Sequence, residues 1–320
     1  MDRRLRYVFL MGLFFAVSEH IGAAAEQKLQ RIKIAYAAIS PIMAGVWMAK
    51  ESRAFEKQGL DADLVYISSG AITTQAMLGG DLDVAVAASN AVVSAILKGA
   101  PLLAVGSVAN RPAMSLWVQA DVRQPEQLQG KILGITRPGS TSHFLTMLVL
   151  EKYNLQNKAK LQPLGGTREI ETAFRAGLIS GAVISMKPGP NAHLMVELPQ
   201  LGIPFSQDLI QVKRSFYKTD AKTVEAFLRA YCMGVATLNT DGQRAHMILA
   251  KYMKSDAVDE ALGLATKYLE KVPRVDPAVI QTVLNWEGKP QTPVKDFYDN
   301  QIIDKIAQEG FIDRLYKKQN

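Results

Sequence analysis

A repeat at an offset of 97 residues limits the folds open to this chain more than any other feature. In "AMLGGDLDVAV", Ala76, Gly80, Ala85 and Val86 match Ala173, Gly177, Ala182 and Val183 of "AFRAGLISGAV" at that constant spacing. In each copy a helical pattern stops at glycine and an apolar strand pattern begins. The strand-like runs "RIKIAY", "DADLVYI", "LDVAVAA" and "PLLAVGSV" alternate with helical patterns, and from Lys131 the same order restarts with "KILGIT", "KLQPLG" and "SGAVIS". Alternation of this kind predicts βαβ units and mostly parallel sheets, here in two halves. Two lobes of this size imply a cleft between them.

Residues 1–25 stand outside the repeat. Arg3, Arg4 and Arg6 precede the apolar run "YVFLMGLFFAV", and small residues follow up to Ala25. Three such regions define a secretory signal peptide, too short in its apolar part to span a bilayer, with cleavage expected after Ala25 and a periplasmic product. Cys232 is the one cysteine. It lies in the helical pattern "AFLRAYCMGVATL" and is expected as a buried free thiol, so the core holds the fold without a disulfide. The 37 Lys and Arg exceed the 30 Asp and Glu only modestly and are dispersed. That balance suits a small anionic or polar ligand and excludes the clustered basic run of a nucleic-acid binder. The four histidines are scattered and none is at ligand spacing from another or from Cys232, so neither a metal nor another cofactor is expected.

The loop "GITRPGSTSHF", Gly134 to Phe144, has the glycine spacing of a phosphate loop, but Ser140 and Thr141 occupy the positions of its lysine and hydroxyl residue. It also lacks the elbow of a serine nucleophile, and no nucleophile, base and orienting residue can be assembled elsewhere. No catalytic residue is therefore assigned. The expected structure is a strand-to-helix turn with Ser140 as the helix cap. In the first half, Ser40 before Pro41 marks an equivalent start, and Gly59 marks a stop. In open α/β sheets, such turns at the carboxyl ends of strands are where ligands bind.

The segments "SPIMAGVWMAKESRAFEKQGLDADLV", "GGDLDVAVAASNAVVSAILKG", "LQGKILGITRPGSTSHFLTMLVLEKYNL" and "FYDNQIIDKIAQEGFIDRLYK" together resemble the nitrate/sulfonate/taurine-type periplasmic substrate-binding proteins of ABC transporters. The resemblance runs over nearly the whole mature chain. It implies a type II two-lobe binding fold, each lobe a mostly parallel sheet flanked by helices, joined by a hinge of two crossings. Lobe one would comprise 26–111 and 212–320, and lobe two 112–211. The implied function is capture of a small molecule by a monomer and its delivery to an ABC permease. Two alternatives share the fold: the thiamine-pyrimidine precursor synthases, whose cysteine-rich motif this chain lacks, and a ligand sensor feeding a signalling partner. Ser180 departs from the family pattern, which has aspartate there, as Asp83 in the first repeat.

On that topology the cleft turns offer Ser40 and Ile42, Ser69 and Gly70, and Ser89 and Asn90 from lobe one. Lobe two offers Thr136, Gly139, Ser140 and Thr141, then Gly166 and Thr167, and Met186. Arg111, Arg137, His143 and Lys187 are the charged residues in or beside these turns, and the first three are candidate ligand contacts. Trp47 and Trp117 are expected to pack in the core.

Overall fold

Short runs of valine, isoleucine and leucine between glycine-stopped helices form two separate five-stranded sheets. The computed structural model describes residues 28–317; the expected signal peptide lies outside them. The first lobe begins with β1 (Gln30–Tyr36), α1 (Ala44–Glu51), α2 (Ala54–Lys57), β2 (Leu60–Tyr66), α3 (Gly70–Gly79), β3 (Val84–Ala88), α4 (Ser89–Leu97) and β4 (Leu102–Ser107). A first crossing leads to the second lobe: β5 (Ser115–Val118), β6 (Ile132–Ile135), α5 (Thr141–Lys152), β7 (Lys160–Pro163), α6 (Thr167–Arg175), β8 (Gly181–Ile184) and β9 (His193–Glu197). After the second crossing come β10 (Asp208–Lys213), α7 (Arg214–Thr219), α8 (Ala221–Thr240), α9 (Gly242–Met253), α10 (Val258–Tyr268), α11 (Pro277–Trp286), α12 (Gln301–Gln308) and α13 (Phe311–Tyr316).

The strand orders are β2-β1-β3-β10-β4 and β7-β6-β8-β5-β9. They are the same order twice. In each sheet three parallel strands from the repeat are followed by an antiparallel strand that has just crossed from the other lobe: β10 beside β3, and β5 beside β8. Gly80 and Gly177 both take positive φ, at +100° and +69°, each ahead of its matched strand, β3 at Val84 and β8 at Gly181. β3 is buried along its whole length, as a parallel strand covered on both faces must be. The departure at Ser180 is local. Asp83 and Ser180 both donate their backbone N–H, to Lys33 O and Ile132 O, and Asp83 adds a carboxylate that accepts the Lys33 N–H at 2.8 Å.

The chain re-enters the first sheet earlier than expected. Position 212 was read as the boundary, but β10 starts at Asp208 and pairs with both β3 and β4. The extended, buried "DLIQV" completes the sheet and cannot also flex. The crossings are therefore the segments 108–114 and 202–207. Gln207 links them, its side-chain oxygen accepting the Ala113 N–H at 3.1 Å.

The C-terminal helices cover lobe one, with α8 lying along α1. Gly234 makes that approach possible, since a Cβ there would sit 2.3 Å from Gly45 O. Trp47 is wholly buried and stacks on Tyr252, and Trp117 is half-buried in the second sheet. Cys232 is fully buried, and burial pushes its thiol up to about 12. One helix departs from the simple division. α11 packs on α4 but also sets Trp286 edge-on against Phe144 of α5, in the other lobe, with ring centroids 5.2 Å apart.

Candidate functional site

Between the lobes lies a cavity of about 40 Å³, lined from both sides and from the crossings. Lobe one contributes Ser40 after β1, and Ser68, Ser69 and Gly70 between β2 and α3. Lobe two contributes Thr136, Ser140, Thr141 and Ser142 between β6 and α5, Gly166 and Thr167 at the start of α6, and Ser185 after β8. Met114 comes from the first crossing, Gln207 from the end of the second, and Asp208 from the start of β10. The turns gather here because every parallel strand of both sheets points its carboxyl end inward. The starts of α3, α5 and α6 thus meet at one place, with the positive ends of their dipoles toward the cavity.

The α5 start shows how the loop is built. Ser140 is extended and its hydroxyl accepts the His143 N–H at 3.3 Å, the expected cap. Ser142 is the hub: its hydroxyl accepts the Thr136 N–H at 2.9 Å and lies 3.1 Å from the hydroxyls of Thr136 and Ser140. His143 turns back to brace the loop. Its Nδ1 accepts the Gly139 N–H at 3.1 Å, and burial lowers its pKa, so the ring there is neutral.

Ser40, Ser69, Gly70, Thr136, Ser140, Thr141, Gly166 and Thr167 are brought together at the cavity. The other candidates lie elsewhere, each for a visible reason. Ile42 is in the first turn after Ser40 and faces the core, where it is 1% exposed. Ser89 is sealed in, donating its hydroxyl to Ser206 O. Asn90 and Gly139 meet each other, with Asn90 Nδ2 donating to Gly139 O at 2.8 Å, and with His143 they line a separate groove beside the cavity. Arg111 lies over the Tyr268 ring at 5.1 Å and donates to Lys267 O. Arg137 is half-buried, and its Nε has no hydrogen-bond partner among the described residues. Met186 and Lys187 line a third groove, and Met186 packs into the lobe-one core.

Sequence reasoning missed Ser68, Ser142, Ser185, Gln207 and Asp208. The first three are immediate neighbours of residues it chose, displaced by one step along a turn. Asp208 carried a signal of its own: a carboxylate directly before the buried apolar pair Leu209 and Ile210. It is 4% exposed and, among the described residues, is the one charged residue lining the cavity. Burial raises its pKa well above the ordinary aspartate range. The expectation of an anionic ligand thus meets a site whose single formal charge is acidic.

Two lobes of repeated topology around a cavity built from hydroxyls and helix starts define the periplasmic binding protein fold. Solved structures share it. The alkanesulfonate-binding protein SsuA of Xanthomonas axonopodis pv. citri, bound to MOPS, superposes with a TM-score of 0.72 at 19% identity, covering 85% of this chain and 99% of its own. The periplasmic nitrate-binding protein NrtA of Synechocystis PCC 6803 does so with a TM-score of 0.70 at 12% identity, over 88% of this chain and 89% of its own. By sequence, the chain belongs to the NMT1/THI5-like family, whose model matches residues 40–245. A protein of Haemophilus influenzae named for thiamine biosynthesis is 24% identical over 263 residues, 79% of this chain and 81% of that protein.

Proposed function

We propose that this protein is the substrate-binding component of an ABC importer, closing its lobes on a small polar solute and presenting it to a permease. One observation carries the reading: a cavity between two lobes, lined by helix starts from each and flanked by both connections that a hinge would use. The lining is recognition chemistry. The hydroxyls of Ser68, Thr136, Ser140, Ser142 and Ser185 and the Gln207 amide bond to each other or to backbone, and among the described residues no histidine, lysine or cysteine stands in the lining to act as base or nucleophile. The thiamine-biosynthesis name of the Haemophilus relative does not by itself favour an enzyme. Export through residues 1–25 belongs to the same proposal, and the mass of the secreted chain, expected to begin at Glu26, tests it.

A thermal-shift screen of the mature protein against small anions, amines, zwitterions and heterocycles tests the binding function. A ligand at about 100 times its Kd adds roughly 2.7 kcal/mol and raises the midpoint by several degrees. A broad panel that leaves the midpoint unmoved would count against a binding protein.

A further inference from the structure

Asp208 is the feature of the cavity that capture of a polar solute leaves unexplained. Its backbone is fully engaged: it pairs with Ala88 of β3, and its carbonyl accepts from Val108 N and Ser206 Oγ. Its carboxyl has neither hydrogen bond nor ion pair among the described residues, although the residue is 4% exposed and borders the cavity. Buried charges in proteins are ordinarily paired, because leaving water uncompensated is costly. A carboxyl kept beside a ligand cavity without a partner is complementary to a partner that arrives with the ligand.

An anion in this space would face a carboxylate at close quarters, or would require it to stay protonated. A cation would complete it. The remainder of the lining has the opposite character, since the starts of α3, α5 and α6 offer N–H groups and hydroxyls suited to an oxygen acceptor. On the binding-protein reading, we infer that the ligand carries a cationic nitrogen, an ammonium or a protonated ring amine, that bonds to Asp208, with any oxygen-acceptor end directed to the helix starts. The site accordingly selects nitrogenous solutes over simple anions of the same size.

Pairing with a cation requires the ionised carboxylate. The Asp208 neighbours Ala88, Val108 and Ser206 are neutral. Tyr231 of α8 is the titratable group coupled to it, its phenol held protonated by burial, with Glu270 acting on the same tyrosine. None of them stabilises the carboxylate before ligand arrives.

Titration calorimetry of the mature protein and of Asp208→Asn with two matched pairs tests the inference: β-alanine against propionate, and 4-aminopyridine against 4-methylpyridine. At least one amine is expected to bind about tenfold or more tighter than its partner, and to lose about tenfold or more in Asp208→Asn. Equal or tighter binding of propionate or 4-methylpyridine overturns the inference but leaves a binding protein. An amine affinity unchanged in a folded Asp208→Asn does the same. If none of the four binds while the wider screen yields only ligands without a cationic nitrogen, the inference also falls; if that screen is empty too, the binding function falls with it.

Discussion

At position 208 the chain keeps a carboxyl where the strand it heads continues with buried leucine, isoleucine and valine. The consequence for stability has a definite sign. Burial raises the Asp208 pKa in the folded protein, while in the unfolded chain it stays at about 4. Between those values the folded state holds a proton that the unfolded state has shed, so stability falls as pH rises through the window. Asp208→Asn removes this penalty. Ligand-free Asp208→Asn is expected to melt above wild type at pH 7.5, by roughly 2–4 °C for each kcal/mol relieved, and level with it below about pH 4, where both states of wild type are protonated. Melting curves at the two pH values decide it, and a gap of equal size at both would point to packing in place of titration.

At the scale of the element, the start of α5 repays comparison with its sequence. "RPGSTSH" was legible as a strand-to-helix turn with Ser140 as cap, because capping and glycine placement are local rules. Gly139 stands outside the cavity lining. It takes φ of +77°, it opens on the neighbouring groove, and a Cβ there would come no nearer than 3.8 Å to Ala71. Gly139→Val is thus expected to cost about 1–3 kcal/mol of stability through backbone strain, with ligand affinity changed less than about twofold. Denaturant unfolding and calorimetry on the same sample separate the two, and a large affinity loss at unchanged stability would return Gly139 to the site. The repeat, the strand order within each half and the turns at the cavity followed from period and caps. Ser89, Asn90 and Met186 could not be placed from the same rules. Whether a residue at a helix start faces the cavity or a neighbouring element depends on the rotation of that helix, which long-range packing decides. Asp208 escaped for a different reason. A proline-marked approach and an extended pattern look alike whether they form a hinge or a strand, and only pairing with β3 and β4 distinguishes them.

Over the whole molecule the lobes are held together by bonds that involve no ligand. Ser68 Oγ donates to Gly165 O at 2.5 Å, Asn90 Nδ2 to Gly139 O at 2.8 Å, Lys187 N to a Glu260 carboxylate oxygen at 3.2 Å, and the Ser40 and Ser185 hydroxyls are 3.3 Å apart. Ser68 and Gly165 are themselves 97 residues apart, so the repeat supplies both halves of one latch. If the crossings act as a hinge, closure rests on a few bonds each worth about 1 kcal/mol, and removing two shifts an open–closed balance by roughly tenfold or more. Small-angle scattering of ligand-free Ser68→Ala/Asn90→Ala is expected to give a larger radius of gyration than wild type, recovered at saturating ligand. An unchanged radius would remove these contacts from control of closure. Such movement would also have an optical signature. Trp47 is sealed inside lobe one and Trp117 belongs to the second sheet, but Trp286, 38% exposed, leans from α11 onto Phe144 of the other lobe. Separating the lobes would strip that indole of its aromatic neighbour and wet it, so red-shifted tryptophan emission, traceable to one of three indoles by Trp286→Phe, would report the open form without any attached dye.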